Sequence, residues 1–439
     1  MAKNTPKDYR SLVIYEIYVR SHSPQGTFQG VTDDLARIKD LGVDVVWLMP
    51  IHPIGRLKRK GSLGCPYSIA DYYSVNPEYG RMQDFKALIH KAHALDLKVM
   101  IDVVYNHSSH DAVLFEQHPD WYHTGPDGHP VTTVPEWSDV IDLDFSRPEL
   151  WPCLISALEQ WAGLGVDGFR CDVASIVPLD FWLQARAAVA RVNPHMIWLA
   201  ESVQARWVAR RRSQGLTASS DSQLYQAFDI TYDYDIFDAW KAVLAGKLDL
   251  RYYLDMLRFQ DCIYPENYVK LRCVENHDNE RVMAMVKDPA QALAWTAFQA
   301  FNKGAWLIYA GQESAAKHLP SLFEKEALDW GNYPLADFHR RLADVKKDPA
   351  VTRGELIWSR VEPAVLGLWY TPIGSLAGVF NLAGRSGQME IDLPDGVYND
   401  RLSGQNILIR GKRLDLPSSA VIFNCRPTHP LPAYPTRLL

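Results

Sequence analysis

The stretch Gly165–Asp172, GVDGFRCD, decides how the rest of the chain is read. Val166 to Cys171 is short and mostly apolar, the composition of a buried strand. Arg170 and Asp172 lie two residues apart, and side chains alternate along an extended strand, so both can point the same way. A cation and a carboxylate then stand together at the strand's C-terminal end, where a barrel of parallel strands carries its chemistry. An interior salt bridge would also account for the pair. Three further polar clusters close apolar strands, however: Asp102 with Asn106 and His107, Glu201, and Asn276 with His277 and Asp278. Strand ends of this kind, repeated along the chain, point to one shared pocket.

Working outward from this stretch, short β-rich runs alternate with runs of helical periodicity. Expected strands are Ser11–Val19, Val43–Met49, Lys98–Val104, Val166–Cys171, Met196–Ala200, Leu224–Ile230, Val269–Val274 and Ala305–Tyr309. Helices are expected at Val31–Leu41 with Thr32 as cap, Met82–Leu95, Glu149–Leu164, Leu179–Val192, Ile236–Phe259 in two pieces, Pro289–Phe301 and Leu335–Val345. Eight strand–helix units of this kind predict an α/β fold, a (β/α)8 TIM barrel over residues 1–104 and 146–350. Residues 105–145 break the rhythm with His, Pro, Gly and Asp. They read as a small excursion over the barrel mouth, with Trp121, Tyr122 and Trp137 as ligand platforms or local packing. From 351 to 439 the pattern turns to short strands between Gly and Asp turns, an antiparallel β-sandwich followed by a proline-rich tail, Arg426–Arg437.

Composition narrows the function classes. Net charge is -6, and the basic runs Leu57–Lys60 and Arg206–Arg212 are short, so nucleic acid is not an expected partner. No apolar run is long enough to span a bilayer, and the N-terminal residues do not read as a signal peptide. The six Cys are scattered without a Cys-x-x-Cys pair, which argues against zinc and for free thiols in a cytoplasmic protein. Many Trp and Tyr suit stacking on sugar rings or bases. Oligomeric state leaves no sequence signal.

Asp172, Glu201 and Asp278 come from three different strand ends. Acetal hydrolysis needs an acid for the leaving oxygen and a carboxylate for the oxocarbenium-like carbon. Arg170 should keep Asp172 ionised, as suits a nucleophile, and burial after Ile197–Ala200 should raise Glu201, as suits an acid/base. Phosphate-transfer or metal-hydrolase sites use the same residue types, but no Gly-rich phosphate cradle accompanies these.

The chain resembles the α-amylase superfamily of retaining α-glycoside hydrolases and transglycosylases along nearly its whole length. The motifs, in family order, are DVVYNH from Asp102 to His107, DLD from Asp142 to Asp144, GFRCD ending at Asp172, Glu201, and ENHD ending at Asp278, with Tyr67 in PYSIADYY. The resemblance implies Asp172 as nucleophile, Glu201 as acid/base and Asp278 as transition-state stabiliser. It implies Tyr67 stacking on the sugar, His107 and His277 holding its hydroxyls, Arg170 orienting Asp172, and Asp102 bracing Arg170. It also implies a structural Ca²⁺ on Asn106 and Asp142, whereas Ser175 and Ile176 stand where amylases commonly have Lys and His. Val173 resembles enzymes that cleave α-1,6 bonds. The expected activity is hydrolysis of α-1,4 bonds in maltodextrin-like oligosaccharides. An α-glucosidase, a transglycosylase and a non-catalytic sugar-binding protein are the alternatives.

Overall fold

The structure, a computed structural model, describes residues 4–426 apart from 361 and 373. Residues 427–437 of the proline-rich tail therefore lie outside the described residues. Eight parallel strands close into a barrel: β1 (Val13–Ile17), β2 (Val45–Leu48), β3 (Lys98–Val103), β6 (Gly168–Cys171), β7 (Ile197–Ala200), β8 (Ile230–Tyr232), β9 (Val269–Arg272) and β10 (Ala305–Tyr309). Apart from Lys98 these strands are buried throughout, as sheets covered by crossover helices must be.

The entry into β6 is fixed by the quoted stretch itself. The helix Leu150–Gly163 ends where Gly165 takes φ 98°, and Val166 N–H donates to Trp161 O across the turn. A left-handed residue costs least when it is glycine. Asp167 then accepts from Val99 N–H at 2.8 Å and ties the start of β6 to β3. In that register Asp102 lies opposite Arg170, so the two side chains project from the same face.

Two expectations need correction. The sixth strand is Ile230–Tyr232, not Leu224–Ile230. Leu224 closes a short helix, Asp221–Leu224, held by a capping box between Ser220 and Gln223. The buried Leu224 and Phe228 are four apart, a helical spacing, which the apolar composition of that run concealed. The first long helix begins at Phe28, and its cap is Thr27, which accepts from Gly30 N–H. Thr32 sits inside it and donates to Phe28 O at 2.8 Å.

Within residues 105–145, β4 (His107–Ser109) pairs with β5 (Val140–Asp142) as a small antiparallel ribbon, His107 opposite Asp142. The C-terminal strands form one four-stranded antiparallel sheet, Glu355–Arg360, Val365–Thr371, Gly374–Phe380 and Ala420–Cys425. Two short ribbons accompany it, Gln388–Glu390 with Arg413–Asp415 and Gly396–Asn399 with Asn406–Ile409, so the arrangement is not a pair of equal sheets. One face of the sheet packs Leu366, Leu368 and Val379 against Met389 and Leu414 of the first ribbon. The other face meets the barrel helix Pro289–Phe301, with Trp358 stacked on Phe298 at 4.6 Å.

Candidate functional site

A cavity of about 410 Å³ opens at the C-terminal ends of the barrel strands. Tyr67, His107, Asp172, Glu201, His277 and Asp278 all line it. Asp102 and Arg170 have no exposed surface and lie beneath. The cavity thus gathers Tyr67, His107, His277 and the three carboxylates Asp172, Glu201 and Asp278, whereas Asp142, Asp144 and Glu275 of the same motifs do not line it. A larger hollow of about 840 Å³ on the C-terminal sheet includes one carboxylate, Asp348, already paired with Arg401.

Arg170 is the hub. Its Nη1 donates to Asp102 at 2.8 and 3.0 Å and to Asp172 Oδ1 at 2.8 Å. Nη2 lies 2.9 Å from Glu201 Oε2, close enough for charge pairing without hydrogen-bond alignment. One guanidinium therefore fixes both carboxylates on one side of the cavity. Val173 N–H donates to Glu201 Oε2 at 2.7 Å. Val173 itself takes φ 36°, an uncommon conformation for a β-branched residue.

Arg170 does not hold Asp172 in the ordinary range as expected. Burial first, then Glu201, push the Asp172 carboxyl well above its usual value, and Arg170 only partly opposes them. Asp102 is pushed up to about 6, chiefly by burial.

The two histidines differ in charge. Burial lowers His107, leaving it neutral, and its Nδ1 accepts from the Asn106 amide at 3.1 Å. Its hydrogen is then on Nε2. His277 is held up to about 9: burial opposes its charge, but Asp278 and Glu16 outweigh burial. Its ring stacks with Tyr67 at 5.5 Å, and its Nε2 lies 3.2 Å from Asp278 Oδ2. Asp278 is partly open to solvent at the mouth. Its loop is fixed by Asn276, which donates to Tyr234 Oη and accepts from Asp278 N–H.

Of the aromatic platforms expected in the excursion, Trp137 alone lines the cavity. Trp121 stacks on His118 at 3.8 Å, and Tyr122 is buried with its hydroxyl on Ser108, so both are packing residues. Sequence reasoning missed Val203, Trp207, Phe237 and Lys241, which also line the cavity. It also missed Glu16, although a lone charge within the apolar run VIYEI was a readable signal. Ser175 and Ile176 have structural work where a Lys and a His were the common pattern. Ser175 Oγ accepts from Val203 N–H at 3.1 Å, and Ile176 packs with Val173, Val203 and Val208.

The side chains at Asn106 and Asp142 do not fit a calcium ion. Asp142 Oδ2 accepts from Thr133 N–H and Oγ1–H, both at 2.7 Å, and Oδ1 faces the Asn106 amide nitrogen at 3.5 Å. The buried Arg211 donates to Thr133 Oγ1; burial lowers its pKa, and the nearby Asp142 charge only partly opposes this. A hard cation needs several oxygens with free lone pairs. Among the described residues no three His, Cys, Asp or Glu side chains gather as a metal site. Protein purified without chelator is therefore expected to carry no stoichiometric calcium, and EDTA to move Tm by less than about 2 °C. Metal analysis paired with a thermal melt checks this; one bound calcium with a large loss of Tm on chelation would reverse it.

Fold and site together define a (β/α)8-barrel protein with a carboxylate-lined, sugar-sized pocket at the strand ends. Two family profiles match it: "Alpha amylase, catalytic domain" over residues 6–129 and 135–365, and "Bacterial Alpha amylase C-terminal domain" over residues 360–423. The chain belongs to the α-amylase family. It is 30% identical over 353 residues to an α-amylase of Haloarcula japonica, covering 77% of this chain and 49% of that one. It is 34% identical over 212 residues to an α-1,4-glucan:maltose-1-phosphate maltosyltransferase of Cereibacter sphaeroides, covering 43% and 36%. The chain thus spans half or less of these relatives' length. Among solved structures, an α-amylase from Lactobacillus plantarum superposes with TM-score 0.92 at 42% identity, covering 96% of this chain and 100% of that one. A maltogenic α-amylase from Thermotoga neapolitana superposes with TM-score 0.84 at 33% identity, covering 95% and 99%. Among the described residues no helix is long and apolar enough to cross a membrane.

Proposed function

We propose that the chain is a retaining α-glucan hydrolase that cleaves α-1,4 bonds of maltodextrin-like oligosaccharides by double displacement. The observation that carries this reading is the Arg170 hub, which sets Asp172 and Glu201 side by side in a cavity that Asp278 faces. In the first step Asp172 attacks the anomeric carbon while Glu201 gives its proton to the glycosidic oxygen. The bond to the leaving sugar breaks, and a glycosyl ester forms on Asp172. In the second step Glu201 takes a proton from water, whose oxygen attacks the same carbon and frees Asp172. Two inversions give retention. The contacts from Arg170 and Val173 fall on Glu201 Oε2, which leaves Oε1 to carry the proton. The reactive form is the one in which Glu201 carries the proton and Asp172 is ionised. Tyr67 lies under the ring, the Nε2–H groups of His107 and His277 hold its hydroxyls, and Asp278 grips the 2- and 3-hydroxyls. A cytoplasmic location, which the six free thiols support, belongs to the same proposal.

A second reading, transfer to an acceptor sugar, is favoured by one feature. Val173, Ile176 and Val203 pack with Trp137 and Trp207 in one apolar cluster, and all but Ile176 reach the cavity. Such a wall suits a stacked sugar better than water. The relatives named maltosyltransferases lend support to this reading. A panel of α-1,4, α-1,6 and branched glucans, followed by product length and anomer, tests both. Products released first as α anomers from the α-1,4-linked substrates are expected. Products longer than the input would establish transfer, cleavage of α-1,6 links would move the reading to an α-1,6-glucosidase, and β anomers would overturn the double displacement.

A further inference from the structure

Glu16 is the sole charged residue in the five-residue strand β1 and has no exposed surface. Its Oε1 is bonded to His277 Nδ1, while Oε2 is buried without a hydrogen-bond partner. A carboxylate held out of water with one oxygen unanswered is costly unless it faces a full positive charge.

Counting hydrogens leads to the same place. A carboxylate only accepts, so His277 Nδ1 carries a hydrogen. Tyr67 Oη lies 2.7 Å from His277 Nε2 and 3.1 Å from Asp102 Oδ2. Above about pH 6 the Asp102 carboxylate accepts only, so the single Tyr67 hydrogen goes to Asp102 and the Tyr67 oxygen accepts from His277. Both ring nitrogens are then donors, and the ring is an imidazolium. The groups facing it are Glu16 from β1, Tyr67 from the loop after β2, Asp102 from β3, Arg170 from β6 and Asp278 from its own loop, with Trp47 of β2 meeting it edge-on without charge.

We propose that Glu16 is a positioning residue for the sugar pocket: it fixes His277 as a double donor, so that Nε2–H, given to Tyr67 Oη in the free pocket and close to the Asp278 carboxylate, is a donor that a hydroxyl of the bound ring can share. The hydroxyl contact rests on the glucan reading above, whereas the state of His277 can be read without substrate. Burial disfavours the cation; Asp278 and then Glu16 more than offset it, Arg170 opposes them, and the ring titrates near 9. The donor is therefore present below that pH and lost as pH rises through it.

The test compares the unsubstituted protein with Glu16→Gln, which keeps the size and one acceptor oxygen but removes the charge. The ¹³C-labelled His277 Cε1–H resonance, assigned by its absence in His277→Gln, is followed from about pH 5.5 to 10 without substrate. Its midpoint is expected near 9 in the unsubstituted protein and at least about one unit lower in Glu16→Gln. Glu16→Asp keeps the charge at greater distance and should fall between them. With glucan, the loss of kcat/KM in Glu16→Gln should be about tenfold greater at pH 8.5 than at pH 6. A midpoint at or below the ordinary histidine value in the unsubstituted protein overturns the proposal, as does one midpoint shared by all three proteins or a loss of kcat/KM independent of pH. If no glucan is turned over, the glucan reading fails, and the resonance still decides the role of Glu16.

Discussion

Asp172→Asn is expected to lower turnover of maltooligosaccharides by about 10⁴-fold or more, the order seen when a nucleophile that acts as part of a unit is removed. The amide keeps the shape of the carboxylate and can still accept from Arg170, so the pocket should remain assembled. Stability should change little, for a physical reason. Removing one partner of a buried ion pair is usually destabilising because the other charge is stranded. Here Arg170 still faces Asp102 and Glu201, and burial and Glu201 both already disfavoured the Asp172 charge. A melting temperature within a few degrees of the parent, measured beside kcat, separates loss of chemistry from loss of fold. Equal kcat in both proteins would remove Asp172 from the nucleophile's role.

Glu201→Gln should show a split that no folding defect reproduces. On glucans, whose leaving oxygen needs a proton, the loss should be about 10²–10⁴-fold. On an aryl or fluoride glycoside the leaving group departs unprotonated, so ester formation should be far less affected. The second step still lacks its base, and the ester should accumulate as a burst of released aglycone. Comparing the two substrates in one preparation checks this. An equal loss on both would assign Glu201 a purely structural place.

Much of this site could be read from the chain because its residues sit at strand ends, where local pattern and function coincide. Arg170 and Asp172 are set by the alternation of a single strand, and Asp102 joins them because β3 and β6 pair in register. The helix Pro289–Phe301 was legible to the residue: Asp288 caps it, and Pro289 opens it. What was not legible depends on contacts far apart in sequence. Trp207 and Lys241 reach the cavity from helices, Ala205–Ser213 and Tyr234–Leu244, whose placement no local pattern encodes. The strands Gly396–Asn399 and Arg413–Asp415 were missed. They are four and three residues long, too short for their in–out alternation to stand out, and the first turns its apolar Val397 outward, 65% exposed. The charge of Asp172 was misjudged because the sequence showed the neighbouring cation but not how deeply Glu201 and the barrel would enclose it.

The left-handed turn at Val173 has a mechanical consequence. The peptide that leaves Asp172 is the same peptide whose N–H grips Glu201, so the anchor of one carboxylate is a single residue from the other. A slide of β7 along β6 must therefore stretch this hydrogen bond before it can carry the Glu201 carboxylate away from Asp172.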